Sequence, residues 1–261
     1  MSVNDINQID IQASLSSAPG NRDPVEKEMM SKYLPIHALT PFTMLDFPGR
    51  TACIVWLAGC NMRCGYCHNP DLVKGKGQLT AEDVMAFLRK RQGLLDGVVF
   101  TGGEASIWPG LPGMMQLVKN LGFAVKLDTN GTRPESVGEF LQDGRVDYVA
   151  LDYKAPPDKF KAVTGIDKFA LFARSLDMLC GRTDIALEVR TTVHTSLLAE
   201  RDINAIISDL DARGYGGVYY IQNFRKSNES PTLGDLPEQP RLLNTDELLQ
   251  PRNFTIDYRN F

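Results

Sequence analysis

The sequence has no long apolar run. The longest, from Ala52 to Cys60, is too short to cross a bilayer. From Met1 to Gly20 there is no Lys, no Arg and no apolar core, so no secretory signal is visible and a cytoplasmic setting is expected. Net charge is small, 28 Lys+Arg against 32 Asp+Glu for a formal −4. With an isoelectric point near 5.5, the mean field draws in neither nucleic acid nor an anionic membrane surface. There is no internal repeat, and no Gly-Lys-Ser/Thr that would mark a phosphate loop. Cysteine is sparse and odd in number, five in 261 residues, three of them clustered, which in a reducing compartment reads as metal binding or catalysis and not as a disulfide framework.

What remains is a hydrophobic fraction of 43% and a charged fraction of 23%, ordinary for a globular chain long enough to bury a sizeable core. Residues 1–32 are expected to be a flexible extension, with its polar Ala-Ser-Leu-Ser-Ser stretch and Pro19-Gly20. Residues 33–261 are expected to form one domain. Strands are predicted at 51–57, 97–101, 123–127, 147–151, 185–193 and 217–221. Helices are predicted at 81–91 (N-capped by Thr80), 112–120, 134–142, 168–179 and 200–213. This alternation implies an α/β fold with a parallel sheet, either an open six-unit partial barrel or a doubly wound sheet. Turn formers in 227–240 predict a surface loop, and 254–259 has strand character.

Three of the cysteines crowd onto one loop after the first predicted strand, Ala58-Gly59-Cys60-Asn61-Met62-Arg63-Cys64-Gly65-Tyr66-Cys67-His68-Asn69-Pro70. The spacing C-x3-C-x2-C can ligate three corners of a 4Fe–4S cubane and leave the fourth iron open, as a catalytic cluster requires. Two other readings compete. Cys64-Gly65-Tyr66-Cys67-His68 matches a haem attachment pattern, which leaves Cys60 unexplained. A structural zinc on Cys60, Cys64, Cys67 and His68 would ask adjacent residues to point at one tetrahedral ion. Cys53 and Cys180 stand alone as small core residues.

The loop, together with Asp46-Phe47-Pro48-Gly49, TGGEA from Thr101, LDTNG from Leu127 and DYVALDYK from Asp147, resembles the radical S-adenosylmethionine superfamily, and within it the activating enzymes of glycyl-radical enzymes. The resemblance covers about Ile36 to Phe224. It implies an open (βα)6 partial barrel, one 4Fe–4S cluster on Cys60, Cys64 and Cys67, and S-adenosylmethionine as cofactor. It further implies a glycyl-radical partner, foremost anaerobic ribonucleoside-triphosphate reductase, and a low-potential donor such as flavodoxin or ferredoxin. Tyr66 would lie beside the adenine, with His68 also on the cofactor side. An open barrel would leave a gap for a partner's peptide segment, where a closed one is filled by side chains. The alternatives are a small-molecule substrate or, in another class, a non-catalytic electron carrier.

The remaining motifs fall at predicted strand ends, where parallel α/β folds place their chemistry. Gly102-Gly103-Glu104 combines backbone that a ligand can approach closely with a carboxylate that can accept from an ammonium; the resemblance assigns this turn to the cofactor's amino group. Asp128 and Asp152 would repel unless a cation or donors lay between them. By resemblance Asp128, Thr129 and Asp152 could hold a monovalent cation, Lys154 would meet the cofactor carboxylate, and Tyr153 lies in the same motif. Arg190 interrupts an apolar strand and must be paired, with a structural partner or with the cofactor. His194 is expected to be a polar strand-end residue. Gln222 and Asn223 are candidate adenine contacts.

Overall fold

The structure, a computed structural model, describes residues 33–226, 232–234 and 236–261; the expected extension 1–32 lies outside them. The chain divides into two compact units. The first gathers the described residues up to Asn61 with Asp71–Asp128 and Glu139–Tyr148; the second gathers Met62–Pro70, Thr129–Gly138 and Val149–Phe261.

In the first unit β1 (Ile36–Thr43), β2 (Ala52–Leu57), β3 (Gly97–Gly102) and β4 (Ala124–Thr129) lie side by side in chain order. β1 runs antiparallel to β2, whereas β2, β3 and β4 are parallel. Side chains alternate across a strand, so the register Ile54↔Val99↔Lys126 defines a row on one sheet face. Phe47, Ala52, Ile54, Val99 and Ala124 form an apolar cluster, with Trp56 and Tyr148 packed against it. The crossovers carry α1 (Pro70–Lys74), α2 (Ala81–Arg89) and α3 (Leu111–Asn120). α2 starts as predicted: Thr80 Oγ1 accepts from Asp83 N at 3.1 Å while Asp83 Oδ2 accepts from Thr80 N at 2.8 Å, a reciprocal cap. It buries Val84, Met85, Phe87 and Leu88, each worth roughly 1.5–3 kcal/mol when fully covered.

Between Thr129 and Gly138, α4 (Pro134–Phe140) begins. In the second unit β5 (Tyr148–Asp152, from Val149), β6 (Ala186–Val193), β7 (Val218–Asn223) and β8 (Thr255–Arg259) again follow chain order. β6, β7 and β8 are parallel. The helices are α5 (Pro157–Thr164), α6 (Phe169–Cys180) and α7 (Glu200–Ala212). Phe160, Phe169, Phe172 and Tyr153 pack ring on ring, with Tyr153 edge-on to Phe172 at 4.6 Å.

The six predicted strands correspond to β2 through β7, and the strand character of 254–259 becomes β8. One strand and two α-helices were not foreseen. β1 carries Pro41 and two register irregularities, so its alternation is broken. α1 and α5 span five and eight residues after prolines, too short to display a helical period.

Candidate active site

The cysteine loop leaves β2 through Gly59, whose φ of +87° suits only glycine comfortably. Its first part belongs to the first unit. There Trp108 Nε1 donates to Ala58 O at 2.8 Å, and a Cβ on Gly59 would lie 2.7 Å from the Trp108 ring. The Gly102-Gly103 turn packs against this same stretch. Gly103 N donates to Leu57 O, and Glu104 N donates to Gly59 O, each at 2.8 Å. A Cβ on Gly102 would stand 2.3 Å from Leu57 O and one on Gly103 2.1 Å from Gly59 O. The close approach that these glycines permit is therefore made, in this chain, by the backbone of the cysteine loop. Glu104 is 2% exposed, and its Oε1 accepts from Ser106 N at 3.0 Å and Ser106 Oγ at 2.5 Å.

The second unit holds Cys64, Tyr66, Cys67 and His68. Arg63 N donates to Thr164 O at 2.8 Å, and Gly165 in the left-handed region (φ +78°) closes α5 against Arg63. On another side, Leu233 N donates to Cys67 O at 3.0 Å and Gly234 N to Gly65 O at 2.9 Å. A Cβ on Gly234 would meet Gly65 Cα at 2.7 Å, so Leu233 and Gly234 lie directly on the cysteine loop. Residues 227–231 and 235 of that segment are outside the described residues.

His68 stacks on Phe224 at 5.1 Å with 16° between the planes, and His194 meets the other end of that group at 5.0 Å from Phe224. Phe224 was not singled out from the sequence; an aromatic directly after a strand end was the available signal. His194, expected at a polar strand end, is buried, with Nε2 3.2 Å from Pro237 O and Nδ1 2.7 Å from Ser196 Oγ. Asn223 accepts from Gln239 Nε2 at 2.8 Å, and Gln222 neighbours it on β7.

Beside Cys64 stands a charged group built from neighbouring strand ends. Asp152 Oδ1 accepts from Arg190 Nε at 2.9 Å, and its Oδ2 accepts from Lys154 Nζ at 3.0 Å. Lys154 also lies 5.9 Å from the Tyr66 ring centre. Burial by itself would raise the Asp152 carboxyl, but the Arg190 guanidinium and Lys154 ammonium outweigh it and hold it at about 2. Lys154 moves upward for the matching reason, Asp152 overcoming the desolvation that would lower it. Burial raises the Cys64 thiol, with Lys154 pulling the other way, and raises Tyr66. Arg190 thus has structural partners, reaching Glu188 at 3.6 Å as well.

Tyr153, between Asp152 and Lys154, is fully buried and donates to Asp209 at 2.9 Å. It belongs to the helix-facing core. Thr129 is buried and accepts from Gly131 N at 3.2 Å in the turn after β4. The supposed repulsion at the acids is also relieved within the chain: Asp128 Oδ1 pairs with Lys126 at 2.5 Å and its Oδ2 accepts from Thr101 Oγ1 at 3.3 Å. Both carboxylates are thus paired with cationic side chains of the chain itself.

All five cysteines stand outside disulfides. Cys53 is fully buried and desolvation raises its thiol to about 12; Cys180 is half-buried, at about 11 for the same reason. Among the described residues, no three His, Cys, Asp or Glu side chains group tightly enough for one metal ion. A zinc site needs its donors on one point, whereas a cubane takes each thiolate on a different iron. The donor set of Cys60, Cys64 and Cys67 suits such a cluster. Tyr66 supplies a second sign of a missing group: its hydroxyl is buried and has no hydrogen-bond partner, a costly arrangement unless something polar is bound there.

The family model of the radical SAM superfamily matches residues 54–195. A Methanocaldococcus jannaschii protein, provisionally described as a glycyl-radical enzyme activating enzyme, is 31% identical over 202 residues, covering 72% of this chain and 79% of that one. The pyruvate formate-lyase-activating enzyme of Clostridium pasteurianum is 36% identical over 142 residues, covering 51% of this chain and 58% of its own length. In structure, Streptococcus suis SuiB bound to S-adenosylmethionine aligns with a TM-score of 0.53 at 13% identity, covering 66% of this chain and 40% of that one. The chain belongs to the radical SAM superfamily. It is an enzyme of that type, and the family's 4Fe–4S cluster and S-adenosylmethionine are its cofactors. Among the described residues no helix is long and apolar enough to cross a membrane.

Proposed function

We propose that this enzyme activates a glycyl-radical enzyme, with anaerobic ribonucleoside-triphosphate reductase as the partner and flavodoxin or ferredoxin as the electron source. The observation that carries it is the likeness to the M. jannaschii activating protein over 72% of this chain. When bound, the cluster and S-adenosylmethionine would supply one-electron cleavage and a 5′-deoxyadenosyl group that takes a hydrogen atom from a glycine Cα.

The chain's own part is positioning. Cys60, Cys64 and Cys67 would hold three irons. Lys154, oriented by Asp152, which Arg190 also holds, would present an ammonium to the cofactor carboxylate as a point charge. Glu104, held at the Gly102-Gly103 turn, would accept from the amino group. Tyr66, His68, Gln222 and Asn223 would frame the adenine, and burial of Tyr66 and Cys64 keeps water from the reacting centre. Asp128 and Thr129 complete the set at the end of β4.

The test is anaerobic reconstitution followed by electron paramagnetic resonance with the reductase and S-adenosylmethionine. We expect a glycyl doublet on the reductase that disappears when Cys60, Cys64 or Cys67 is replaced by Ala. Cleavage that turns over with a small metabolite and never produces a protein radical would overturn the partner assignment. A cluster that reduces without cleaving S-adenosylmethionine would make the chain an electron carrier instead.

A further inference from the structure

Lys126 is the most deeply buried charge on the first unit's sheet and has no part in the chemistry above. It is 2% exposed, on a strand whose neighbours in the same row are Ile54 and Val99. Its stem lies in this apolar row, and the ammonium reaches up the strand to Asp128 Oδ1 at 2.5 Å, 5.6 Å from the Tyr148 ring centre. Thr101, one row further on opposite Trp56, donates to the other oxygen of Asp128. The carboxylate at the end of β4 is therefore already charge-compensated from below by a residue two positions earlier.

We propose that Lys126 is the resident cation of the β4 strand end, a positioning residue that holds Asp128 and removes any need for an alkali-metal ion there. The physical ground is competition for one oxygen. An alkali ion on Asp128 would stand against an ammonium already in contact with it, and drawing Asp128 away would leave Lys126 charged, buried and unpaired. The inference concerns how the cofactor site is neutralised and does not depend on which partner is activated.

The experiment titrates KCl and NaCl against tetramethylammonium chloride at constant ionic strength. It uses the full chain, with thermal midpoint and S-adenosylmethionine affinity of the reconstituted protein as readouts. Wild type should show no ion-specific, saturable change in either. Lys126→Arg keeps the charge and should behave likewise. Lys126→Met keeps the stem and loses the charge. It should acquire a saturable alkali dependence, binding S-adenosylmethionine roughly tenfold more tightly in KCl than in tetramethylammonium chloride. A saturable K+ or Na+ response in wild type overturns the proposal, and so does a Met variant indifferent to the ion. Should Lys126→Met not fold, the wild-type titration decides alone. Neither readout involves a partner protein, so the outcome is separable from the glycyl-radical assignment.

Discussion

A single missing side chain at Gly103 shows how closely the turn after β3 and the cysteine loop depend on each other. The Gly-Gly pair reads in sequence as room for a ligand, and a substitution there would be expected to weaken cofactor binding without removing iron. In the structure the room is taken by Gly59 O, 2.1 Å from where a Cβ would be placed. Backbone cannot swing aside as a side-chain tip can, so Gly103→Ala must displace the start of the cysteine loop. The expected result is loss of both thermal stability and bound iron after reconstitution, measured by melting and by iron assay. Full iron content with only a weaker cofactor affinity would restore the ligand-approach reading. Lys126 is a residue that sequence reasoning could have found: the signal that flagged Arg190, one charge inside an apolar strand, is equally present in AVKLDT.

At the scale of strands, the ends of β5 and β6 act together through Asp152, Arg190 and Lys154. The Asp152 carboxyl is held at about 2 when folded, against ~3.9 in an unfolded chain. A depressed folded value means that its stabilisation is complete above ~3.9 and is lost as pH falls toward 2. The contribution is on the order of 2 kcal/mol, since each pKa unit corresponds to ~1.4 kcal/mol. Urea unfolding across this range should show the wild type losing that increment between pH 4 and 2. Asp152→Asn should start lower at neutral pH and fall less steeply. Glu200 adds a parallel loss in both proteins, because Arg241 holds it at about 2 as well. Equal slopes for the two proteins would show that Asp152 is not the group responsible.

On the scale of the whole chain, the C-terminal residues close an edge. β8 pairs in parallel with β7 from Val218↔Thr255 to Gln222↔Arg259. Phe254 packs on Tyr215 and Tyr219, and the Arg259 guanidinium lies 3.5 Å from the Tyr220 ring centre. Removing residues 254–261 would expose the β7 edge that carries Gln222 and Asn223, and would forfeit the burial of Phe254, worth roughly 1.5–3 kcal/mol. A fall in melting midpoint of about 3–12 °C is expected, with increased light scattering from the bare strand edge. An unchanged midpoint and clear solution would show that β8 is dispensable.

Composition and pattern by themselves determined the α/β class, the six strands β2 to β7, the start of α2 at Thr80 and the three-cysteine loop. These rest on local chemistry: β-branched runs, a side chain capping its own helix, and thiols spaced within one loop. The tertiary structure alone decided the partners. It turned Tyr153 into the helix-facing core, gave Asp128 to Lys126 and Asp152 to Arg190 and Lys154, and put Leu233 and Gly234 on the carbonyls of Cys67 and Gly65. The reason is physical. A local pattern specifies which face a side chain leaves from, but a buried charge or backbone amide is satisfied by whichever group the fold brings within about 3 Å, and that group is often tens or hundreds of residues away.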